Sequence, residues 1–118
     1  MTASGNTLIN DRLYQRRPGN RADFGTPEQF VPATGVRGPD GRPILWEACV
    51  TINGESWGYN KYETDFKTER DLVRMLVEVV SKGGNLLLNV GPKPDGTIQE
   101  EFETRLKAMG RWLAVNGE

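Results

Sequence analysis

One continuous stretch, residues 46–96, constrains the fold more than any other part of the chain. It contains, in order, the patterns of a strand, an aromatic loop, an amphipathic helix, a double-glycine turn, an apolar strand and a loop rich in glycine and proline. Strands that alternate with helices in this way build parallel sheets and β/α barrels. The order of these patterns therefore predicts part of a β/α barrel.

The helix within this stretch is predicted together with both of its ends. It begins after Thr68, which can cap it with Asp71 in the third position, and it ends at Gly83 and Gly84. Apolar side chains at helical spacing predict one buried face, which consists of Leu72, Leu76, Val79 and Val80.

A second helix follows and is predicted by the same signals. Thr97 and Glu100 are its expected capping pair, and Gly117 is its expected stop. Acidic residues gather near its start and basic residues nearer its end, which suits the helix dipole. Its expected apolar face consists of Ile98, Phe102, Leu106, Met109 and Leu113.

Three segments have the pattern of strands. Residues 85–90, NLLLNV, form an unbroken apolar run, which a strand needs when both of its faces are covered. Residues 48–52 are a second strand candidate, and residues 7–10 are a shorter third one. Five of the seven prolines lie in residues 15–43, so an irregular loop is expected at about residues 15–45.

These elements define the expected fold class. About three parallel strands and two long helices amount to roughly half of an eight-stranded barrel. We therefore expect an α/β chain with a single domain, residues 1–118, folded as a partial TIM-type (β/α) barrel.

Composition excludes several classes of partner. The net charge is −1, and the basic and acidic residues are interspersed, so no charged stripe is present that could neutralise phosphates or anionic lipid. We expect no nucleic-acid partner and no membrane partner. No apolar run reaches the ~20 residues of a membrane span, and residues 1–6 are too short and polar for a signal peptide. A cytoplasmic location is therefore expected.

The available side chains also limit the chemistry. The sequence has no histidine, which removes the commonest metal ligand and the usual general base at neutral pH. Its single cysteine, Cys49, lies among strand-forming residues, where a buried and inert thiol is expected. Any catalysis must then depend on carboxylates.

Five blocks carry a family resemblance that extends over nearly the whole chain from about Leu8. In order and spacing they resemble the C-terminal half of the catalytic barrel of glycoside hydrolase family 29, the α-L-fucosidases. The resemblance implies a retaining hydrolase that removes α-linked L-fucose through a covalent glycosyl-enzyme intermediate, without a cofactor or a metal. The blocks are LINDR (8–12), ADFGTPE (22–28), WEACVTINGESWGYN (46–60), VSKGGNLLLNVGPKPDGTI (80–98) and RLKAMGRWLAVNGE (105–118).

The resemblance assigns roles to three residues. Glu28, which closes the ADFGTPE block, becomes the candidate general acid/base, and Arg12 of the LINDR block becomes a sugar-binding residue. Trp57 is expected to pack against the methyl-bearing face of fucose. Arg12 and Trp57 each follow a predicted strand, and Glu28 lies on the long loop, as barrel chemistry requires.

Each of these roles has a structural alternative. An acid catalyst must hold its proton near neutral pH, so Glu28 should be partly desolvated or lie beside another negative charge. A solvated loop carboxylate would be a weak acid catalyst. Arg12 could instead form a structural ion pair with Asp11 or Asp23, and Trp57 could simply fill the core.

The family's nucleophilic aspartate is expected on an earlier barrel strand, upstream of Met1. Retaining chemistry needs two carboxyl groups about 5 to 5.5 Å apart, so a second carboxylate must come from elsewhere. Asp23, which is the nearest acidic residue to Glu28 in sequence, is the first candidate. Other acidic residues near predicted strand ends are Asp11, Glu47 and Glu55.

A half-barrel also predicts self-association, because its apolar strands and unpaired edges would be left uncovered. We expect a homodimer or higher oligomer in which one copy completes another, either by closing the sheet or by exchanging elements between chains. Three functions follow from these features: a glycoside hydrolase whose activity depends on assembly, a noncatalytic fragment or sugar-binding remnant, and a small hydrolase with an altered substrate range.

Overall fold

The computed structural model describes residues 7–14, 22–54 and 56–117, and within them it has one short 3-10 helix, four strands and two α-helices. In chain order these elements are the 3-10 helix Asp11–Tyr14, β1 Phe24–Gly25, β2 Val36–Arg37, β3 Pro43–Thr51, α1 Glu69–Ser81, β4 Asn85–Asn89 and α2 Glu100–Asn116. The chain divides into a first unit, residues 1–49 and 79–87, and a second unit, residues 50–78 and 88–118.

The long strand β3 organises the sheet. β1 runs parallel to it, with Phe24 opposite Leu45, and β2 runs antiparallel to it, with Val36 opposite Ile44. β4 also pairs with β3. The result is a mixed four-stranded sheet, and β2 is an antiparallel member that the sequence did not predict.

Trp46 belongs to the core of the first unit. Its indole is buried, and its Nε1 donates a hydrogen bond to the carbonyl oxygen of Lys82 at 3.4 Å. Gly84 lies directly against the ring, where an added Cβ would fall 2.3 Å from the indole. The double-glycine turn after α1 therefore provides space for Trp46 as well as ending the helix.

The second unit is built around aromatic and aliphatic side chains. Phe102 is 1% exposed, and its ring meets that of Phe66 edge-on at a centroid distance of 5.6 Å. Arg105 lies over the Phe66 ring and donates from Nε to the carbonyl oxygen of Lys67 at 2.6 Å. These contacts join the first half of α2 to the segment that precedes α1.

The prediction for α1 is confirmed at both ends. Thr68 Oγ1 donates to the carboxylate of Asp71 at 2.6 Å, and the backbone N–H of Asp71 donates back to Thr68 Oγ1 at 3.2 Å. At the other end Gly83 has a φ of 72° and donates its N–H to Val80 at 2.9 Å. A local capping box and a glycine stop therefore delimit this helix.

The predicted cap of α2 is wrong. The helix begins at Glu100 with Gln99 in the capping position, and Gln99 makes no side-chain capping bond. Thr97 instead donates from Oγ1 to Asp95 Oδ1 at 2.7 Å and from its backbone N–H to the same oxygen at 3.0 Å. Thr97 therefore lies in a turn with Asp95, two residues before the capping position of the helix.

The predicted strands also differ in extent. β3 begins at Pro43, five residues before the predicted start, and β4 ends at Asn89. Of residues 7–10 only Asn10 takes part in the sheet, through a single parallel bridge to Phe24. The expected irregular loop contains β1, β2 and the start of β3, and its residues 15–21 lie outside the described residues.

Cys49 is a buried free thiol, as the sequence predicts. On the apolar face of α1, Leu72 and Val79 are fully buried, whereas Val80 is exposed.

Within the described ranges, α1 and α2 are both too short or too polar to cross a membrane.

Candidate functional site

Two of the residues predicted for the site meet directly. Arg12 Nη1 donates to Glu28 Oε1 in a close ion pair, and both side chains are 40% exposed. Arg12 lies in the 3-10 helix, and Glu28 lies three residues after the end of β1. The two blocks that carry the predicted arginine and the predicted acid therefore converge in the first unit.

Backbone bridges bring the pair together. Asn10, two residues before Arg12, forms a parallel bridge with Phe24, and Glu28 forms a parallel bridge with Cys49 of β3. The N–H of Gln29 donates to the carbonyl oxygen of Cys49 at 2.9 Å. Gln29 has a φ of 62°, which is uncommon for a residue other than glycine and costs conformational energy. The sheet therefore fixes the backbone around Glu28.

The environment of Glu28 matches in part the one that its predicted role called for. Its side chain is partly buried, as expected, but the neighbouring charge is a cation, the guanidinium of Arg12, and not an anion. Arg12 forms its ion pair with Glu28, and not with Asp11 or Asp23, the partners that the alternative interpretation predicted.

Those two aspartates make other contacts. Asp11 Oδ1 accepts a hydrogen bond from Thr26 Oγ1, and Thr26 is buried. Asp23 Oδ2 accepts from the backbone N–H of Ile9 at 2.8 Å, while its own N–H donates to the carbonyl oxygen of Ile9 at 2.7 Å. Both carboxylates thus join the LINDR segment to the ADFGTPE segment. Thr26 was missed by the sequence analysis, and its only signal was a polar residue inside the ADFGTPE block.

Trp57 lies in the second unit, on the loop that follows β3. Its side chain is 41% exposed, so it does not serve as core filling. Its carbonyl oxygen accepts a hydrogen bond from Asn89 Nδ2 at 2.7 Å. Tyr59 and Tyr62, which follow on the same loop, are also exposed. The loop therefore presents aromatic faces to the surroundings while its backbone is held by the end of β4.

Charged groups support the start of this loop. Lys67 Nζ donates to the carbonyl oxygens of Thr51 at 2.8 Å and Asn53 at 3.1 Å. Burial lowers the pKa of the Lys67 ammonium, and the nearby Asp65 partly offsets that effect. The pKa of Glu63 is lowered mainly because its carboxylate accepts a hydrogen bond from the N–H of Asp65. A second hydrogen bond, from the Asn53 amide, lowers it further. A cation and an anion thus hold the backbone and the side chain of Asn53.

No group of three or more histidine, cysteine, aspartate or glutamate side chains that could hold a metal ion occurs in the part of the chain that the structure describes.

Comparisons with known proteins agree on one family. The family model described as alpha-L-fucosidase matches residues 1–118. The chain is 55% identical over 78 residues to human plasma alpha-L-fucosidase, a match that covers 64% of this chain and 17% of the relative. It is 40% identical over 114 residues to bovine (Bos taurus) tissue alpha-L-fucosidase, covering 94% of this chain and 23% of the relative.

Solved structures give the same result. Alpha-L-fucosidase isoenzyme 1 from Paenibacillus thiaminolyticus has a TM-score of 0.85 and 44% identity, with 95% of this chain and 28% of that chain covered. An alpha-fucosidase from Thermotoga maritima, solved in complex with fucose, has a TM-score of 0.73 and 39% identity, with 93% and 22% covered. The chain thus spans between 17% and 28% of the length of these relatives.

Proposed function

Because the chain belongs to the α-L-fucosidase family, glycoside hydrolase family 29, we propose that it contributes to the hydrolysis of α-L-fucosides with retention of configuration. The observation that carries this proposal is the ion pair between Arg12 and Glu28, the arginine and the acid that the family resemblance singles out. The fold expected with this function is part of a (β/α) barrel, with the site residues on loops that follow the strands.

Glu28 is proposed as the general acid/base. In the first step a nucleophilic carboxylate attacks the anomeric carbon, the glycosidic C–O bond breaks, and Glu28 gives its proton to the departing oxygen. In the second step Glu28 takes a proton from water, which attacks the anomeric carbon and releases the carboxylate. The bridge between Glu28 and Cys49 supports this role, because an acid catalyst must be held in one position.

Arg12 is proposed to bind the sugar, and this role requires its ion pair with Glu28 to open. A salt bridge between two side chains that are each 40% exposed contributes only about 0–1 kcal/mol. Hydrogen bonds from the guanidinium to sugar hydroxyls can offset a loss of that size.

Trp57 is proposed to pack against the methyl-bearing face of fucose. Its exposed indole offers the apolar surface that such a contact needs, because an aromatic ring can cover C–H groups that point away from the sugar hydroxyls. The exposure of the ring supports this role over core filling.

Asp23 is our first candidate for the second carboxyl group. It is exposed, it lies five residues before Glu28, and its carboxylate is held by the N–H of Ile9. A carboxylate from a second copy of the chain is the alternative. The variant Asp23→Asn, assayed with azide, distinguishes these two candidates. If Asp23 is the nucleophile, azide takes its place and the product is β-fucosyl azide. If the carboxylate comes from elsewhere, this product should not form.

Self-association is proposed as the way in which the sheet is covered. In the first unit Leu8, Leu45 and Leu87 are exposed, and Leu8 and Leu45 help to line an apolar cavity of about 280 Å³. A second copy that covers these side chains would remove apolar surface from water. Light scattering at micromolar concentration should give at least a dimer, and a folded monomer would contradict this part of the proposal.

A panel of aryl glycosides tests the proposed function. Release of nitrophenol from 4-nitrophenyl α-L-fucoside is compared with release from other aryl glycosides, esters and phosphates. Glu28→Gln should strongly lower turnover of the fucoside. Glu103→Gln is the matched control, because Glu103 is also an exposed, ion-paired glutamate but lies on α2 beside Lys107. Binding of fucose without turnover would indicate a sugar-binding protein, and turnover indifferent to Glu28 would indicate a different hydrolase.

A further inference from the structure

The loop that carries Trp57 lacks the usual means of fixing a side chain. Residues 56–60 belong to no helix or strand, and the Trp57 indole is too exposed to be held by core packing. If the ring is to meet one face of a sugar, its position must come from the backbone of the loop. The contacts of that backbone with the rest of the second unit are therefore decisive.

The first contact comes from the end of β4. Asn89, the last residue of that strand, donates from Nδ2 to the carbonyl oxygen of Trp57 at 2.7 Å. The hydrogen-bond donor to Trp57 thus lies on a regular strand, β4. This bond fixes the peptide that follows Trp57.

The second contact comes from Asn53, a buried residue that precedes the loop. Asn53 is 2% exposed, and its Nδ2 donates to the carbonyl oxygen of Ser56 at 3.0 Å and to Glu63 Oε2 at 3.2 Å. Glu63 in turn accepts from the N–H of Asp65 at 3.0 Å through Oε1. The amide of Asn53 is therefore oriented by a carboxylate that is itself anchored, and it fixes the peptide that follows Ser56.

The third contact is steric. The Cα of Gly91 lies so close to the loop that an added Cβ would fall 2.4 Å from the carbonyl carbon of Gly58 and 2.5 Å from the nitrogen of Tyr59. No residue other than glycine fits at this approach. The segment after β4 therefore bounds the loop immediately beyond Trp57.

We infer that Asn53, Asn89 and Gly91 act together as a clamp that positions Trp57, so that they are positioning residues for the sugar site. The three act on consecutive parts of the loop, at Ser56, at Trp57 and at the peptide between Gly58 and Tyr59. The inference rests on the proposed function, in which Trp57 packs against fucose, but the clamp itself can be measured without substrate.

The experiment uses the protein labelled with 5-fluorotryptophan and ¹⁹F NMR. The chain has three tryptophans, so three resonances are expected, and Trp57→Phe assigns the one of interest. Asn89→Leu should broaden or shift the Trp57 resonance and leave that of Trp46 in place. Asn85→Leu is the matched control, because Asn85 lies on the same strand but donates to Glu47 at 2.6 Å.

A second pair of variants keeps the inference testable if Asn89→Leu does not fold. Gly91→Ala should displace the loop and move the Trp57 resonance. Gly110→Ala, on α2, should leave it unchanged, because an added Cβ there meets nothing within 4 Å. A Trp57 resonance that is identical in wild type, Asn89→Leu and Gly91→Ala would overturn the clamp.

Kinetics then link the clamp to the site. For an active protein, Asn89→Leu should raise KM for 4-nitrophenyl α-L-fucoside by about tenfold with a smaller change in kcat, as expected when a binding contact is lost without loss of the reacting groups. Equal KM values for the Asn89 and Asn85 variants would contradict a positioning role. If the wild type shows no turnover, the proposed function fails, whereas the NMR result still decides the clamp.

Discussion

Arg12 and Glu28 lie sixteen residues apart in sequence and form an ion pair through one guanidinium nitrogen and one carboxylate oxygen. The pair depends on the parallel bridges that Asn10 and Glu28 make with Phe24 and Cys49. A contact of this kind between two half-exposed side chains adds little to stability. In the proposed function, Glu28 and the sugar compete for the same guanidinium.

The first prediction separates stability from activity for this pair. Arg12→Met should lower the free energy of unfolding by no more than about 1 kcal/mol, because both side chains are 40% exposed. The same substitution should raise KM for an aryl fucoside strongly, because it removes the proposed sugar-binding group while the free energy of unfolding hardly changes. Urea unfolding and steady-state kinetics check the two effects, with Lys107→Met, which removes the exposed partner of Glu103, as the control.

A second prediction concerns Gly84. Its replacement by alanine should destabilise the chain by about 1–3 kcal/mol, because the new Cβ would fall 2.3 Å from the buried indole of Trp46. Gly83→Ala provides the comparison, since nothing lies within 4 Å of its Cβ position and only its φ of 72° opposes the change. Chemical unfolding should find Gly84→Ala more destabilised, together with altered Trp46 fluorescence. Equal losses would mean that helix termination alone explains both glycines.

The capping box of α1 should make stability depend on pH. Hydrogen bonds from Thr68 lower the pKa of Asp71 in the folded chain. The contribution is therefore full above about pH 4, the ordinary pKa of an aspartate, and is lost as the pH falls through the lower folded pKa. The difference in unfolding free energy between wild type and Asp71→Asn should shrink as the pH falls through that range. A difference that stays constant down to the folded pKa would contradict this assignment.

Core packing in the second unit gives a fourth prediction. Phe102→Ala should cost about 3–5 kcal/mol, because the side chain is 1% exposed and meets Phe66 edge-on. Leu113→Ala, on the same helix, should cost much less, because Leu113 is 43% exposed. Thermal or chemical unfolding of the two variants measures the contrast, and similar losses would mean that the assigned core is incorrect.

The sequence predicted those features that depend on neighbouring residues. The capping box of Thr68 and Asp71 and the stop at Gly83 are local, so the pattern alone identified α1. The apolar run at residues 85–90 likewise gave β4 to within one residue. The family blocks singled out Arg12 and Glu28 as candidate site residues, and the structure adds that the two form an ion pair.

Other features depend on contacts that the sequence pattern does not contain. β3 begins at Pro43 because that residue and Ile44 pair with β2, a strand of only two residues. The predicted cap of α2 was wrong because Thr97 lies in a turn with Asp95 and the helix begins only after Gln99. Nothing in the sequence reveals that the amide of Asn89 reaches the carbonyl oxygen of Trp57.

The most direct test of the account is the leaving-group dependence of the Glu28→Gln variant. An acid catalyst matters most when the departing oxygen is basic, so the variant should retain part of its activity toward 2,4-dinitrophenyl α-L-fucoside and lose it toward the phenyl fucoside. The ratio of kcat/KM between the two substrates should rise by at least about tenfold over wild type. An unchanged ratio, with both substrates still cleaved, would contradict the assignment of Glu28 as the acid/base of this site.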